Sequence, residues 1–197
     1  MKISVFGTGE VGSAFAGKLK SLGHDVVFGS RHPGGVKDGL PVLSHEDAAV
    51  HGEWAVNAMH GEDALQTLPG LPLAGKLLLD IGNFQAAADG PLTRTLGESL
   101  QSALPGTRVV KALNSVSAQL MGEPHLLETI HTVFIAGNGA EDRSAVAQLL
   151  ESFGWLDVID LGDLTACRSM EQLVPMWMRL YEKFGHVYFN LAVVRKP

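Results

Sequence analysis

Three glycines spaced as Gly7-Thr8-Gly9-Glu10-Val11-Gly12 follow directly on the apolar run Ile3–Phe6 and open a helix-like segment, Ser13–Leu22. In that setting each glycine has its own task. Gly7 permits a tight turn, Gly9 lets backbone N–H groups approach a pyrophosphate, and Gly12 lets helix and strand pack closely. The start of the helix adds partial positive charge. The pattern predicts a dinucleotide-binding turn with Gly7, Thr8, Gly9, Glu10, Val11 and Gly12 as contacts. Roughly twenty residues on, an NAD-type site carries an acid for the ribose 2′-hydroxyl. Here that place reads Gly29-Ser30-Arg31-His32, with no carboxylate. Ser30 and Arg31 are matched instead to a 2′-phosphate, and His32 or Lys37 adds positive potential. The expected cofactor is NADP(H).

Other polar residues follow apolar runs that read as strands. His60 comes after Trp54–Ala58, Gly82-Asn83 after Leu77–Ile81, and Asn114 after Val109–Ala112. In open α/β sheets ligands bind beyond the carboxyl ends of the strands, so these residues are candidates for the same crevice. His60 could contact the nicotinamide or protonate an acceptor, or simply line the cofactor's edge. The Asn114 amide could donate to the nicotinamide carboxamide, accept from a substrate, or bond to its own turn. Arg168 and Glu171, three apart at a helix start, can pair on one face, either organising a lid over the pocket or as a structural salt bridge. The eight histidines show no metal-binding spacing and Cys167 stands alone, so neither a metal site nor an intrachain disulfide is expected. No Gly-x-Ser-x-Gly elbow is present, which argues against a serine hydrolase.

The elements that must position these residues alternate. Apolar runs Ile3–Phe6, Val26–Phe28, Trp54–Ala58, Leu77–Ile81, Val109–Ala112, Val133–Ala136 and Leu156–Ile159 suit strands buried on both faces. Between them, Ser13–Leu22, Glu62–Thr67, Leu92–Ala103, Ser115–Leu120 and Ala140–Phe153 read as helices, and His32–Gly39 as a loop. The fold class is α/β: a doubly wound, mostly parallel sheet with a short C-terminal helical segment. Residues 1–163 form the nucleotide-binding domain. Residues 164–197 form a tail, with Ser169-Met-Glu-Gln172 as a capping box for a helix to Phe184. Pro175 should kink that helix or mark a later start. Its apolar face of Trp177, Leu180, Tyr181 and Phe184 should pack on the domain or on a second subunit, predicting a homodimer.

Composition sets outer bounds. Of 197 residues, 46% are hydrophobic and 18% charged, which excludes a disordered or coiled-coil chain. Fifteen basic against 21 acidic residues give a net charge of −6, opposite to the usual bias of a nucleic-acid binder. No apolar stretch reaches the ~20 residues of a membrane span, and a strand at the N-terminus leaves no room for a signal peptide. A cytoplasmic protein is expected.

Four blocks resemble the family of coenzyme F420-dependent NADP oxidoreductases: Ile3–Gly12, Gly29-Ser30-Arg31, Val109–Ala118, and Arg168-Ser-Met-Glu171 followed by Pro175. Together they span nearly the whole chain. The stretch Lys111-Ala-Leu-Asn-Ser-Val-Ser-Ala118 is also similar to the cytosolic NADPH domain of the six-transmembrane metalloreductases. The resemblance implies a Rossmann fold with NADPH along Thr8–Val11 and Ser30–Arg31. It implies further cofactor contacts near Met59 and Ala118, and a deazaflavin over the nicotinamide ring. It also implies hydride transfer between NADP(H) and a flavin-like or deazaflavin (coenzyme F420) acceptor. An NADP(H)-binding redox-sensing module without turnover, or a reductase for another small acceptor, fits the same residues.

Overall fold

The computed structural model describes residues 1–85 and 94–196. Among these, one sheet contains β1 (Lys2–Phe6), β2 (Asp25–Ser30), β3 (Val36–Lys37), β4 (Leu40–Ser44), β5 (Trp54–Asn57), β6 (Leu77–Asp80), β7 (Arg108–Ala112), β8 (Thr132–Gly137) and β9 (Asp157–Asp160). Their spatial order is β3-β4-β2-β1-β5-β6-β7-β8-β9. The run from β4 to β7 is parallel throughout. Only β3 against β4 and β8 against β7 are antiparallel. The chain builds outward from β1 through β2 to β4, then crosses to β5 on the other side of β1. That reversal opens a crevice beyond the carboxyl ends of β1 and β5.

Side chains alternate along each strand, so both faces of the sheet are apolar. On one face Ile3, Val5, Val56, Leu79 and Val110 meet α1 (Glu10–Ser21) through Phe15 and Leu19, α5 (Ala118–Gly122) through Leu120, and α6 (Ala140–Ser152) through Leu149 and Leu150. On the other, Phe6, Val27, Leu78 and Val109 meet α2 (His45–His51) through Ala48 and Ala49. They also meet α3 (Gly61–Thr67) through Ala64 and α4 (Leu96–Ala103) through Leu96 and Leu100. The doubly wound α/β architecture is the one expected.

Several local expectations are corrected. The segment His32–Gly39 is not all loop. Asp38 and Gly39 take left-handed conformations (φ 53° and 72°) that close a tight turn between β3 and β4. Strand β4 and helix α2 escaped the sequence pattern, because Pro41 interrupts a short run with no clear alternation. Helix α1 begins at Glu10, three residues before the expected start. Helix α4 starts at Leu96, where the Thr95 hydroxyl accepts the Glu98 N–H; the expected start at Leu92 lies outside the described residues. Helix α5 covers only Ala118–Gly122 rather than Ser115–Leu120.

The C-terminal helix divides into α7 (Cys167–Glu171) and α8 (Leu173–Phe184), with Gln172 between them. Ser169 lies inside α7 and caps nothing. Pro175 falls in the first turn of α8, where its missing N–H has no intrahelical acceptor to lose. No residue of α8 is buried. Beyond Gly185 the chain runs without regular structure back to β8, where Leu191 O accepts from Thr132 N and Val193 N donates to the Thr132 hydroxyl.

Candidate functional site

The glycine-rich turn is dictated by its backbone. Gly7 has φ +114°, and a Cβ there would stand 2.7 Å from the Ala58 carbonyl oxygen on the neighbouring strand end. A Cβ on Gly12 would overlap the Gly7 carbonyl oxygen, so helix α1 can leave the turn this closely only from glycine. At Gly9 the same test meets nothing within 4 Å. The middle of the turn is therefore bare backbone facing open space, directly before the first residue of α1, whose N-cap carries no side-chain hydrogen bond. An anion placed there meets backbone N–H groups and the positive end of a helix.

From this turn a cleft of about 270 Å³ extends over the carboxyl ends of β2 and β5. Of the residues singled out from sequence, Gly7, Thr8, Gly9, Ser30, Arg31, Met59 and His60 line it. The Ser30 hydroxyl accepts the His32 N–H at 3.1 Å, so its own proton remains to be donated. Arg31 is exposed and makes no ion pair among the described residues. The β3–β4 turn brings Lys37 over the glycine-rich loop, where its ammonium donates to the Thr8 carbonyl. His45, at the first position of α2, and Asp63 and Thr67 of α3 complete the walls. None of those three was anticipated, since His45 follows the strand that the pattern hid.

Glu10, Val11 and Gly12 are not among the residues lining this cleft. The Glu10 carboxylate accepts from Gln119 of α5 at 2.6 Å, and Val11 packs against the core. Asn83, Asn114 and Ala118 stand beyond β6 and β7. The Asn83 amide donates to the Asn114 carbonyl at 2.7 Å, while its own Oδ1 is buried without a partner. The Asn114 amide donates to the Met170 carbonyl at 2.9 Å, which ties the turn to α7. Leu113 before it holds φ +58°, a conformation costly for a branched side chain. Ser117, the N-cap of α5, also carries a buried hydroxyl without a partner.

Beneath this edge lies a charged cluster that sequence reasoning missed. Lys111 of β7 is fully buried; its ammonium donates to Asp80 Oδ2 at 2.8 Å and to the Gly82 carbonyl at 2.6 Å, and stands 3.3 Å from Glu171 Oε1. Burial works against the charge, but Asp80 and Glu171 outweigh it and hold the ammonium above its ordinary pKa. Asp80 Oδ1 accepts from Asn57 Nδ2 and from Gly82 N, and Asn57 Oδ1 in turn accepts from Met59 N. Glu171 accepts the N–H groups of Leu96 and Gly97 at the start of α4. The expected Arg168–Glu171 pair does not form. Arg168 reaches Glu98 instead, with two nitrogens on two oxygens, and this keeps the Glu98 carboxyl below its ordinary pKa. Cys167 lies against the cluster, and burial pushes its thiol up to about 12, so it is not a nucleophile at neutral pH.

A larger groove of about 610 Å³ lies over α4 between Thr95, Glu98, Ser102 and Arg168, but the charges of Glu98 and Arg168 are already paired with each other. Among the described residues no cluster of His, Cys, Asp or Glu is arranged to hold a metal ion, and no helix is long and apolar enough to cross a membrane.

Residues 2–84 match the family model described as NADP oxidoreductase, coenzyme F420-dependent. A crystal structure of a candidate F420-dependent NADP-reductase from Arthrobacter sp. FB24 superposes with a TM-score of 0.90 at 36% identity, covering 99% of this chain and 100% of that one. The F420-dependent NADP reductase of Methanocaldococcus jannaschii is 25% identical over 93% of this chain and 94% of its own length. Metalloreductase STEAP2 of Homo sapiens is 30% identical over 87% of this chain, but the match covers 35% of that protein. The chain thus spans about a third of the length of the metalloreductases it matches.

Proposed function

Because the chain belongs to the family of coenzyme F420-dependent NADP oxidoreductases, we propose that it passes hydride between NADP(H) and a flavin-like or deazaflavin acceptor such as coenzyme F420. The observation that carries this reading is the cleft itself. It joins a bare glycine turn to Arg31, in no ion pair among the described residues, and to Ser30, whose hydroxyl proton is free to donate, with no carboxylate at the end of β2. That set fits a pyrophosphate followed by a 2′-phosphate.

In this reading Gly7–Gly12 and the start of α1 receive the pyrophosphate, and Ser30 and Arg31 hold the 2′-phosphate. Met59 and His60 flank the middle of the cofactor, and Asn83, Asn114 and Ala118 border its far end. NADP(H), when bound, supplies the hydride chemistry at its nicotinamide ring. The chain's task is to align two rings and keep water out, which needs few reacting side chains. His60 and Asn114 are the candidate catalytic residues, acting by placement. The Asn114 amide is tied to the Met170 carbonyl, so this residue also connects the crevice to the C-terminal segment.

We further read the exposed apolar helix α8 as the seam of a homodimer. Its side chains Met176, Tyr181 and Phe184 are about half exposed, and Trp177 stacks on Tyr181 at 5.6 Å. The single buried thiol suits a reducing compartment, and we take the chain to be cytoplasmic.

The test is steady-state oxidation of NADPH against a panel of deazaflavin, flavin and quinone acceptors. Turnover with one of them, faster with NADPH than with NADH, is the expected result. A module that only senses NADPH would bind it and leave every acceptor unreduced.

A further inference from the structure

Arg31 and His45 leave the sheet side by side. Strands β2 and β4 run parallel with Ser30 opposite Ser44, so the residues that follow start from the same level of adjacent strands. Both line the cleft that begins at the glycine turn. The His45 ring lies 6.0 Å from the ring of Phe6, centroid to centroid, half-buried, and has no hydrogen-bond or ion-pair partner among the described residues. Partial burial and the nearby Arg31 guanidinium both disfavour its protonation, and its pKa lies below the ordinary 6.5.

The other charged groups around this ring do not relieve that repulsion. On α2 itself, Asp47 is engaged by the Ser44 hydroxyl at 2.7 Å, and Glu46 beside it is in no ion pair among the described residues. Lys37 is held on the Thr8 carbonyl. Asp63 of α3, His60 and His32, the last next to Arg31 in the chain, also line the cleft, and Asp63 pairs with neither Arg31 nor His45. A guanidinium and a protonatable imidazole thus line one end of the cleft, with neither paired to a carboxylate among the described residues. The protonated form of the ring is unfavourable there until an anion enters between it and Arg31.

We propose that His45 is a second phosphate-binding residue beside Arg31, so that selection of NADP over NAD is coupled to uptake of a proton at this ring. The inference rests on the reading of NADP(H) as the cofactor and adds a specificity determinant to it. The sign follows from the two states. In the free protein the ring titrates low. A 2′-phosphate dianion against it favours the charged form and raises that value. Preference for NADP therefore grows as pH falls through the raised value and levels off below the lowered one. For each unit by which the phosphate raises the ring's pKa, the gain is up to about tenfold in affinity.

The test is calorimetric titration of NADP+ and NAD+ at about pH 8 and about pH 6.5 into the intact chain and into His45→Gln and His45→Arg. The second pKa of a phosphate ester, near ~6, acts alike on all three proteins and cancels in the comparison. Expected in the intact chain is a ratio of NADP+ to NAD+ affinity that rises as pH falls. In His45→Gln the rise is lost, and in His45→Arg the high ratio holds at both pH values. NAD+ affinity stays the same in all three, showing an intact cleft. An unchanged pH response of the ratio in His45→Gln overturns the role of His45 while leaving NADP as the cofactor. Equal weakening of NADP+ and NAD+ by His45→Gln also overturns it, because the ring would then be holding the cleft wall. No preference of the intact chain for NADP+ at either pH overturns the NADP reading, and the His45 inference with it.

Discussion

The cleft at the glycine turn is shaped by backbone, whereas the C-terminal segment is fastened by side chains. Around Gly7, Gly9 and Gly12 the constraints are a positive φ, a close approach to Ala58 and the absence of Cβ atoms. The positive φ and the contact of Gly12 with Gly7 act within a dozen residues of chain, and the approach to Ala58 is made backbone to backbone. At the other end, α7 is anchored by Glu171 on Lys111 and on two N–H groups of α4, and by the Met170 carbonyl that receives Asn114. Those contacts join residues 56 to 75 positions apart. Beyond that anchor no residue of α8 is fully buried, and among the described residues the tail packs on it through Phe189 and hydrogen-bonds to the sheet near Thr132 and Asp157. A local backbone device can be rigid by itself, while a side-chain clamp makes one region depend on the charge state of another.

The largest effect should come from the clamp. Lys111→Met leaves Asp80 and Glu171 facing each other in the interior without their cation, a loss of about 3–5 kcal/mol, to be read from urea unfolding. A change below 1 kcal/mol would break the contrast, since the clamp would then be incidental.

Next comes the glycine turn. Gly12→Ala puts a methyl against the Gly7 carbonyl and should cost about 1–3 kcal/mol of stability. NADPH binding, followed by its fluorescence, should weaken as well. Full NADPH affinity in this variant would show that the close approach of helix and turn is not needed for binding.

Arg31→Ala should weaken NADPH by about 1.5–3 kcal/mol and leave NADH nearly unchanged, the scale of hydrogen bonds to a charged group. Equal losses for both cofactors would place Arg31 outside the 2′-phosphate site.

The smallest effect concerns the tail. Hydrogen bonds from Arg195 and Thr132 hold the Asp157 carboxyl below its ordinary value of 3.8. Its contribution is therefore complete above that value and is lost as pH falls through the lowered one. Exchange of the Thr132 and Val193 amide hydrogens should quicken over that acid range before the sheet opens, by less than about 1 kcal/mol of local stability. Exchange that stays uniform until global unfolding would show the tail to be part of the core.

The same contrast explains what the sequence could reveal. The glycine turn, the absent acid at Ser30-Arg31 and the buried strands are local signals, set by spacing within one element or its neighbour. Strand β4 and helix α2 were hidden because Pro41 breaks an already short run, and His45 was hidden with them. The pairing of Glu171 with Lys111 rather than Arg168 has no local signature. Three residues on a helix invite an i, i+3 pair, but α7 turns Glu171 into the interior and Arg168 toward Glu98. At Gln172 one expected helix becomes two, and Pro175 in the first turn of α8 is the local signal of that later start. That division lies between the anchored α7 and the uncovered α8.

The central claim, hydride passed directly between NADP(H) and a second ring aligned beside it, is tested by isotope transfer. NADPH carrying deuterium on the transferred position of its nicotinamide is mixed without oxygen with an oxidised deazaflavin, and the reduced product is examined by mass and by proton NMR. The account predicts one deuterium per reduced deazaflavin, retained in ordinary water. Reduction with the label lost to solvent, or NADPH bound but never oxidised by any acceptor ring, would contradict it.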